Sequence, residues 1–198
     1  MTGISHDSNY AILEALAREV PADEAIVELG TFEGASALAL GRGARAGKGA
    51  HVWTVDPHDL AGYRTTTGAG RPPRRPINFS DPIHRIRARG ALKDAGLLDE
   101  HVTMVRAFST DAAAVWHGPK VGLLYVDGDH REGAVRRDFA AWEPHLATDA
   151  IVLFDDYDAE KFPGVVTNVG LLVWKGLLSL VKVEGTLAIL YRTKGSRR

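Results

Sequence analysis

Two apolar runs of the sequence are each followed by a pair of aspartates, whose type and spacing suggest chemistry. Asp127 and Asp129 follow residues 121–126, and Asp155 and Asp156 follow residues 150–154. If the runs are neighbouring parallel strands, about 4.8 Å apart, these carboxylates can meet at one edge of the sheet. Adjacent ionised carboxylates repel each other unless a cation lies between them, and oxygen-only ligands favour Mg²⁺. The pattern predicts a divalent-cation site; the alternative interpretation is that the aspartates are turn residues and helix caps.

A second pattern is a glycine turn between an apolar run and a helix, in the stretch AIVELGTFEGASALAL. Gly30 and Gly34 let the backbone approach a ligand, and the helix that begins near Ala35 offers free N–H groups at its positive end. Asp56 ends the next apolar run, 22 residues beyond Gly34. That spacing matches the acid that binds ribose hydroxyls in nucleotide folds. The two features together predict a nucleoside ligand, and a purely structural turn is the alternative.

The turn differs from the one that binds dinucleotides. Dinucleotide sites use G-x-G-x-x-G, whereas this turn is G-x-x-x-G with Thr31, Phe32 and Glu33 between its glycines. The bulk and the carboxylate would crowd a pyrophosphate. Glu28, just before the turn, is placed to meet a ligand ammonium group instead.

These motifs resemble those of the class I S-adenosylmethionine-dependent methyltransferases. The motifs are E-L-G-T-F-E-G-A-S at 28–36, V-D at 55–56 and V-D-G-D-H at 126–130. More narrowly, they are similar to the small-molecule O-methyltransferase branch that includes macrocin- and novobiocin-type sugar methyltransferases. The resemblance extends over residues 25–192 and depends most on the specific D-G-D-H element. It implies Mg²⁺-assisted (or other divalent-cation-assisted) methylation of a hydroxyl on a small molecule such as a natural product, sugar or phenolic, with S-adenosylmethionine as the cofactor.

The resemblance implies roles for individual residues. The expected cofactor-binding residues are Glu28, Gly30, Thr31, Gly34, Ser36, Asp56, Phe108, Ser109 and Asp127. Of these, Gly30, Thr31, Gly34 and Ser36 would line the methionine part of the cofactor. Asp56 would hold the ribose, and Ser109 would lie against the adenine. Phe108 would add a stacking face there, or pack in the core.

The family binds its divalent metal through residues that match Asp127, Asp155 and Asp156. The metal would hold the substrate hydroxyl in line with the methyl–sulfur bond and lower its pKa. Asp129 matches the proposed general base. His130 is the reserve candidate, because an unperturbed imidazole has a pKa near about 6.5.

Apolar runs alternate with helical patterns along the chain. The predicted strands are 25–29, 51–55, 102–106, 121–126, 150–154, 178–183 and 187–192. The predicted helices are 8–20, 35–45, 81–95, 110–116, 132–145 and 165–175. This alternation indicates a parallel sheet covered on both faces, and the short link between the last two strands requires an antiparallel hairpin. The predicted fold is α/β: a Rossmann-like, doubly wound, mostly parallel seven-stranded sheet with a C-terminal antiparallel β-hairpin and helices on both faces.

Composition limits the class of protein. The 198 residues predict one domain over 1–198, with an N-terminal helix within 1–24. The chain has no cysteine, which excludes disulfides, thiolate zinc sites and cysteine nucleophiles. A formal net charge of −1 disfavours nucleic acid as a partner. The N-terminus lacks a signal-peptide pattern, and the longest apolar stretch, 165–183, is too polar to span a bilayer, so we expect a cytoplasmic protein without a membrane partner.

One segment departs from the average composition. Residues 59–90 contain seven arginines against two acidic residues, and 59–80 are rich in glycine and proline. We interpret 59–80 as a flexible surface loop, with a lid or anion-steering loop beside the site as the alternative. Each tryptophan lies within a predicted element and is expected to pack in the core.

Two other functions stay open at this stage. One is a metal-independent methyltransferase of the same fold that acts on nitrogen or carboxylate, in which the aspartates are structural. The other is a polyanion-binding module that uses the Arg-rich region 64–89. The sequence leaves a homodimer open as well.

Overall fold

The computed structural model describes residues 6–58 and 82–193. The helices are α1 (His6–Ala17), α2 (Ala35–Ala46), α3 (Pro82–Asp94), α4 (Ser109–Ala114), α5 (Glu132–Trp142) and α6 (Pro163–Trp174). The strands are β1 (Ala25–Leu29), β2 (His51–Val55), β3 (Val102–Val105), β4 (Val121–Val126), β5 (Leu146–Phe154), β6 (Leu178–Glu184) and β7 (Leu187–Arg192). The predicted loop 59–80 lies outside the described residues.

The strands form one seven-stranded sheet in the order β3-β2-β1-β4-β5-β7-β6. The first five strands in this order pair in parallel, while β7 is antiparallel to both β5 and β6. The predicted α/β fold and its C-terminal hairpin are confirmed. Because β1 and β4 are neighbours with β2 beyond β1, the chain reverses direction along the sheet at the β1/β4 boundary, where ligands bind in folds of this kind.

The core has two layers, one on each face of the sheet. Helices α1 and α2 pack with one face through residues such as Leu13 and Leu40. Helices α5 and α6 pack with the other face through residues such as Phe139 and Val169. Every residue of β1 and β4 is buried, which explains why β4 is apolar throughout and β1 is apolar except at Glu28.

The structure differs from the prediction at several element ends. Strand β5 begins at Leu146, four residues before the predicted 150, and a short 3₁₀ turn (Glu143–His145) follows α5 where one long helix was predicted. Pro144 has no N–H to donate, which is consistent with the end of the α-helix there.

The tryptophan prediction was correct for Trp53, Trp116 and Trp142, whose rings contact one another in the order given. It was wrong for Trp174, which is 81% exposed at the end of α6. Trp174 is the last residue of this twelve-residue helix, whose buried residues are Val165, Asn168 and Val169. Within the described residues, no helix is long and apolar enough to cross a membrane.

Candidate active site

The glycine turn connects β1 to α2 and lies against the end of β4. Gly30 has a φ of 100°, and a Cβ there would come within 2.1 Å of the backbone oxygen of Asp127. Gly34 has a φ of 86° and caps α2, where a Cβ would come within 3.1 Å of Ala88 in α3. Both positions therefore require glycine, the first because the backbone of β4 approaches it so closely.

Asp56 at the end of β2 holds this turn in place. One carboxylate oxygen accepts hydrogen bonds from the backbone N–H groups of Thr31, at 2.9 Å, and Phe32, at 3.0 Å. The other oxygen accepts from the N–H of His58, at 2.6 Å. Asp56, which the sequence predicts to bind ribose, thus lies at the turn. Its carboxylate also satisfies the backbone N–H groups there as a hydrogen-bond acceptor.

Glu28 lies beneath the turn and is completely buried. The Thr54 hydroxyl donates to its Oε2, whereas Oε1 has no hydrogen-bond partner in the described part of the chain. Burial raises the pKa of Glu28 to about 8, against the opposing effect of the nearby Ser36 and Thr54 hydroxyls. At neutral pH this carboxyl is mainly uncharged. In the structure Glu28 is bonded to Thr54, and its contact with a ligand ammonium group stays a prediction.

A cavity of about 210 Å³ opens beside the turn. Five predicted cofactor residues line it, namely Gly30, Thr31, Gly34, Ser36 and Asp127. The remaining wall comes from Tyr10, Phe32, Glu33 and Ala35. The N-terminus of α2 lies at this cavity, so its free N–H groups and positive dipole end favour a carboxylate there.

Helix α3 is tied to the outer side of the turn by charged contacts. The Glu33 carboxylate accepts hydrogen bonds from Arg87, at 2.6 Å, and contacts His84 Nδ1 at 2.9 Å. The hydrogen bonds from Arg87 and His84 lower the pKa of Glu33. The rings of Phe32 and His84 lie 4.4 Å apart. The carboxylate that the sequence places within the turn therefore points toward α3.

An acidic cluster with a central imidazole lies at the ends of β4 and β5. His130 Nε2 lies 3.0 Å from Asp156 Oδ2 and 3.6 Å from Asp127 Oδ1. Burial alone would lower the pKa of His130, but the two nearby carboxylates raise it to about 9. Burial raises the pKa of Asp127 to about 6, an effect that His130 partly opposes.

The donor set of this cluster fits a divalent cation. One ligand atom each from Asp127, His130 and Asp156 lie within 4.8 Å of one another. His130 Nε2 is buried and makes no hydrogen bond of good geometry among the described residues. Asp156 has a φ of 54°, which is strained for a residue with a side chain and is typical of functional sites. A site made only of oxygen ligands favours Mg²⁺. This site also contains an imidazole nitrogen, which binds transition metals as well, so it is less selective for Mg²⁺.

Asp155, the third predicted metal ligand, is not one of the three residues whose ligand atoms lie within 4.8 Å of one another. Its Oδ1 accepts from Asn9, at 3.3 Å, from Thr186, at 3.2 Å, and from the N–H of Asp156, at 2.8 Å. Its Oδ2 accepts from the Tyr125 hydroxyl at 2.6 Å. Both oxygens are thus bound by protein donors, and the structure brings His130 to the cluster in the place that the sequence assigned to Asp155.

Asp129, the predicted general base, forms an ion pair with Arg131 on the surface side of the cluster. The Arg131 Nε contacts its two oxygens at 2.9 Å and 2.8 Å, and the guanidinium Nη2 also contacts Oδ2. Burial raises the pKa of Asp129, but Arg131 more than offsets that effect and lowers it overall. Asp129 and His130 line a cleft of about 590 Å³, together with Arg131, Glu132, Lys161, Phe162, Pro163, Gly164 and Thr167.

Phe108 and Ser109 are not among the residues that line the cavity beside the turn. Phe108 caps α4, and Ser109 begins it. The Ser109 hydroxyl accepts a hydrogen bond from the Trp142 indole at 3.1 Å. It also faces Asp138, where burial raises the pKa to about 6 and the Ser109 hydroxyl opposes that rise. In the structure Ser109 therefore joins α4 to α5.

Sequence reasoning missed three residues of this region. Tyr10 lines the cavity, Asn9 bonds to Asp155, and Tyr125 bridges Asp155 and Asp127. One signal for Tyr125 was available, since a phenol inside an otherwise aliphatic buried strand needs a hydrogen-bond partner. Asn9 and Tyr10 gave no comparable signal, because their partners lie far away in the sequence.

Comparisons with known proteins agree with this architecture. The methyltransferase-domain family matches residues 27–157. The O-methyltransferase NovP is 17% identical, with 94% of this chain and 80% of that chain covered and a TM-score of 0.71. The O-methyltransferase TomG from Streptomyces achromogenes is 18% identical, with 96% and 82% covered and a TM-score of 0.67. An O-methyltransferase from Bacillus cereus is 14% identical, with 98% and 84% covered and a TM-score of 0.68.

At these identities the three structures establish the fold, whereas the family match rests on the sequence itself. It spans the glycine turn, Asp56, the D-G-D-H element and both aspartates after β5. The resemblance to class I methyltransferases is confirmed, and the chain belongs to the methyltransferase-domain family.

Proposed function

We propose that this methyltransferase uses S-adenosylmethionine to methylate a hydroxyl group on a small molecule, assisted by a divalent cation. The observation that carries the proposal is the position of the acidic cluster between two cavities. Asp127 lines the smaller cavity beside the glycine turn, and His130 lines the larger cleft. A donor in the first and an acceptor in the second would meet at the cluster.

The smaller cavity suits the methionine part of the cofactor. Ser36 and Thr31 offer hydroxyls, and the N-terminus of α2 favours the methionine carboxylate. Asp127 offers a carboxylate to the ammonium group. The TomG structure contains S-adenosylmethionine and the Bacillus cereus structure contains S-adenosylhomocysteine, which supports this assignment.

The larger cleft suits the acceptor because it joins polar groups to an aromatic wall. The His130 and Phe162 rings lie 4.6 Å apart, and Asp129 is at the rim. In the transfer, a lone pair of the acceptor oxygen forms a bond to the methyl carbon while the carbon–sulfur bond breaks. Its electrons stay on sulfur as neutral S-adenosylhomocysteine. The hydroxyl proton goes to Asp129, because His130 is assigned to the cation.

Asp127, His130 and Asp156 are the residues that would hold the cation, with Asp155 as a further ligand if its carboxylate turns. When bound, such a cation would bind the hydroxyl oxygen and lower its pKa. Asp127 and Asp156 also orient the imidazole of His130, and Arg131 keeps Asp129 ionised. The chain's own contribution is therefore alignment and removal of one proton.

The test is methyl transfer from labelled S-adenosylmethionine to a panel of small hydroxylated compounds, with and without EDTA. We expect transfer that EDTA abolishes and that added Mg²⁺ or Mn²⁺ restores. Without a divalent cation, the variant Asp156→Asn should bind S-adenosylhomocysteine as the wild type does, and with Mg²⁺ it should still lose transfer. Full activity in EDTA would contradict the role of the cation.

A metal-independent transfer to nitrogen or carboxylate is the second candidate. The ion pairs of His130 with Asp127 and Asp156 favour it, because a protonated imidazole already offsets one of the two carboxylate charges. EDTA-resistant transfer to an amine or carboxylate acceptor would select this candidate. A polyanion-binding role has less support, because Arg87 is engaged by Glu33 and residues 64–81 lie outside the described part of the chain.

A further inference from the structure

The N-terminal helix reaches the acidic region through one buried side chain. Asn9 in α1 is only 4% exposed. Its amide donates to Asp155 Oδ1 at 3.3 Å and to the Thr186 hydroxyl at 3.4 Å. Asp155 and Thr186 lie more than 140 residues away in the sequence, so these bonds exist only when α1 is docked.

The hydrogen-bonded chain continues from Asp155 to the cluster. Tyr125 is 1% exposed, and its hydroxyl donates to Asp155 Oδ2 at 2.6 Å. The same hydroxyl lies 3.3 Å from Asp127 Oδ2. A phenol has one proton, so the stronger its bond to Asp155, the less it donates to Asp127. The orientation of Asp155 therefore affects how free Asp127 is to bind other groups.

Tyr10, the next residue of α1, belongs to the proposed cofactor site. Tyr10 lines the cavity beside the glycine turn, and Asp127 lines the same cavity. Helix α1 thus contacts the proposed cofactor site through Tyr10 and the acidic region through Asn9. One rigid helix that touches two sites can transmit an effect between them, provided that both sites favour its docked position.

On this basis, and resting on the proposed function, we infer that Asn9 is a positioning residue through which α1 couples cofactor binding to cation binding. A cofactor that contacts Tyr10 holds α1 in place, and docked α1 holds Asp155 through Asn9. Asp155, through Tyr125, then leaves Asp127 available to the cation. Each ligand should therefore tighten the binding of the other, by the same factor in both directions.

If Asn9 has only a structural role, its replacement should have a different effect on the two affinities. In that case its loss weakens folding and lowers both affinities, but the ratio that expresses their coupling stays constant. The informative quantity is therefore the dissociation constant of S-adenosylhomocysteine without Mg²⁺ divided by that with saturating Mg²⁺. The reciprocal quantity is the Mn²⁺ affinity with and without S-adenosylhomocysteine, measured by electron paramagnetic resonance.

The experiment compares the full-length wild type with Asn9→Leu, which keeps the side-chain shape and removes the donors. Glu14→Gln is the matched control on the same helix, since Glu14 pairs only with the exposed Arg18 in the described contacts. We expect a coupling ratio of about fivefold or more in the wild type and in Glu14→Gln. In Asn9→Leu the ratio should fall close to one, with S-adenosylhomocysteine still bound.

A second variant keeps the test decisive if Asn9→Leu does not fold. Tyr125→Phe removes the bridging hydroxyl, keeps the ring, and should lose the coupling in the same way. Unchanged coupling in either folded variant overturns the inference. A wild type that binds S-adenosylhomocysteine without any coupling overturns it too, but leaves the cofactor assignment intact. A wild type that does not bind S-adenosylhomocysteine overturns the proposed function itself.

Discussion

The backbone oxygen of Asp127 lies where a side chain at Gly30 would have to be, 2.1 Å from the position of a Cβ. This contact brings the glycine turn of β1 against the D-G-D-H element of β4. It explains how two motifs that are nearly 100 residues apart in the sequence come to share one cavity.

The variant Gly30→Ala should therefore be strongly destabilised. The added methyl group meets backbone that cannot move without shifting β4, and the positive φ adds strain. We expect a loss of at least about 2 kcal/mol in the free energy of unfolding, measured by urea denaturation. The control is Gly170→Ala in the exposed part of α6, where a Cβ meets nothing within 4 Å. That variant should be stabilised by up to about 1 kcal/mol, and equal effects of the two changes would contradict the close approach.

The anchoring of the turn by Asp56 gives a second prediction. Asp56→Asn replaces an acceptor that serves three backbone N–H groups with an amide that can present only one oxygen. We expect a loss of about 1–3 kcal/mol in stability and a weaker affinity for S-adenosylhomocysteine, measured by calorimetry. Asp158→Asn, which alters a similar surface turn away from the cavity, should leave that affinity unchanged. Equal affinity of wild type and Asp56→Asn would exclude a role of Asp56 at the cofactor.

Glu28 predicts a pH dependence of stability. Its pKa rises from 4.5 to about 8 on folding because burial disfavours the charge. Between these two values the unfolded chain has lost a proton that the folded protein keeps, so stability falls as the pH rises. Glu28→Gln is neutral throughout. Its melting temperature relative to the wild type should therefore increase from about pH 5 to about pH 8. A difference that does not vary with pH would show that Glu28 is already ionised in the folded protein.

The base assignment gives a prediction on activity. Asp129→Asn should reduce methyl transfer by about 100-fold or more, because the amide cannot accept the proton. S-adenosylhomocysteine affinity should not change, since Asp129 lines the larger cleft. Arg131→Gln is the matched control: it removes the ion pair but keeps the carboxylate, and transfer should persist. Normal turnover of Asp129→Asn would contradict the assignment of Asp129 as the base.

Much of the fold was predictable because its signals are local. Apolar runs identified the buried strands, and the three-residue link between the predicted strands 178–183 and 187–192 required a hairpin. The exposure of Trp174 was not predictable, because helical periodicity does not tell how far along a helix its neighbours cover it.

For the candidate site, the sequence predicted which strand ends carry the acidic residues. The positions of Asp127, Asp155 and Asp156 follow from the ends of β4 and β5, but the direction of each side chain does not. Asp155 turns toward Asn9 and Tyr125, of which the first is 146 residues away. Ser109 likewise turns toward Trp142. Only the packed structure decides such orientations.

The most direct test of the account is calorimetric titration of the wild-type protein with S-adenosylhomocysteine. The cavity formed by the glycine turn, Tyr10 and Asp127 predicts saturable binding of one molecule per chain. The affinity should be lost in a variant that fills the cavity, such as Ser36→Trp, while Asp129→Asn binds normally. Absence of binding by the folded wild type at concentrations up to about 1 mM, an affinity of about 4 kcal/mol or weaker, would contradict the central claim.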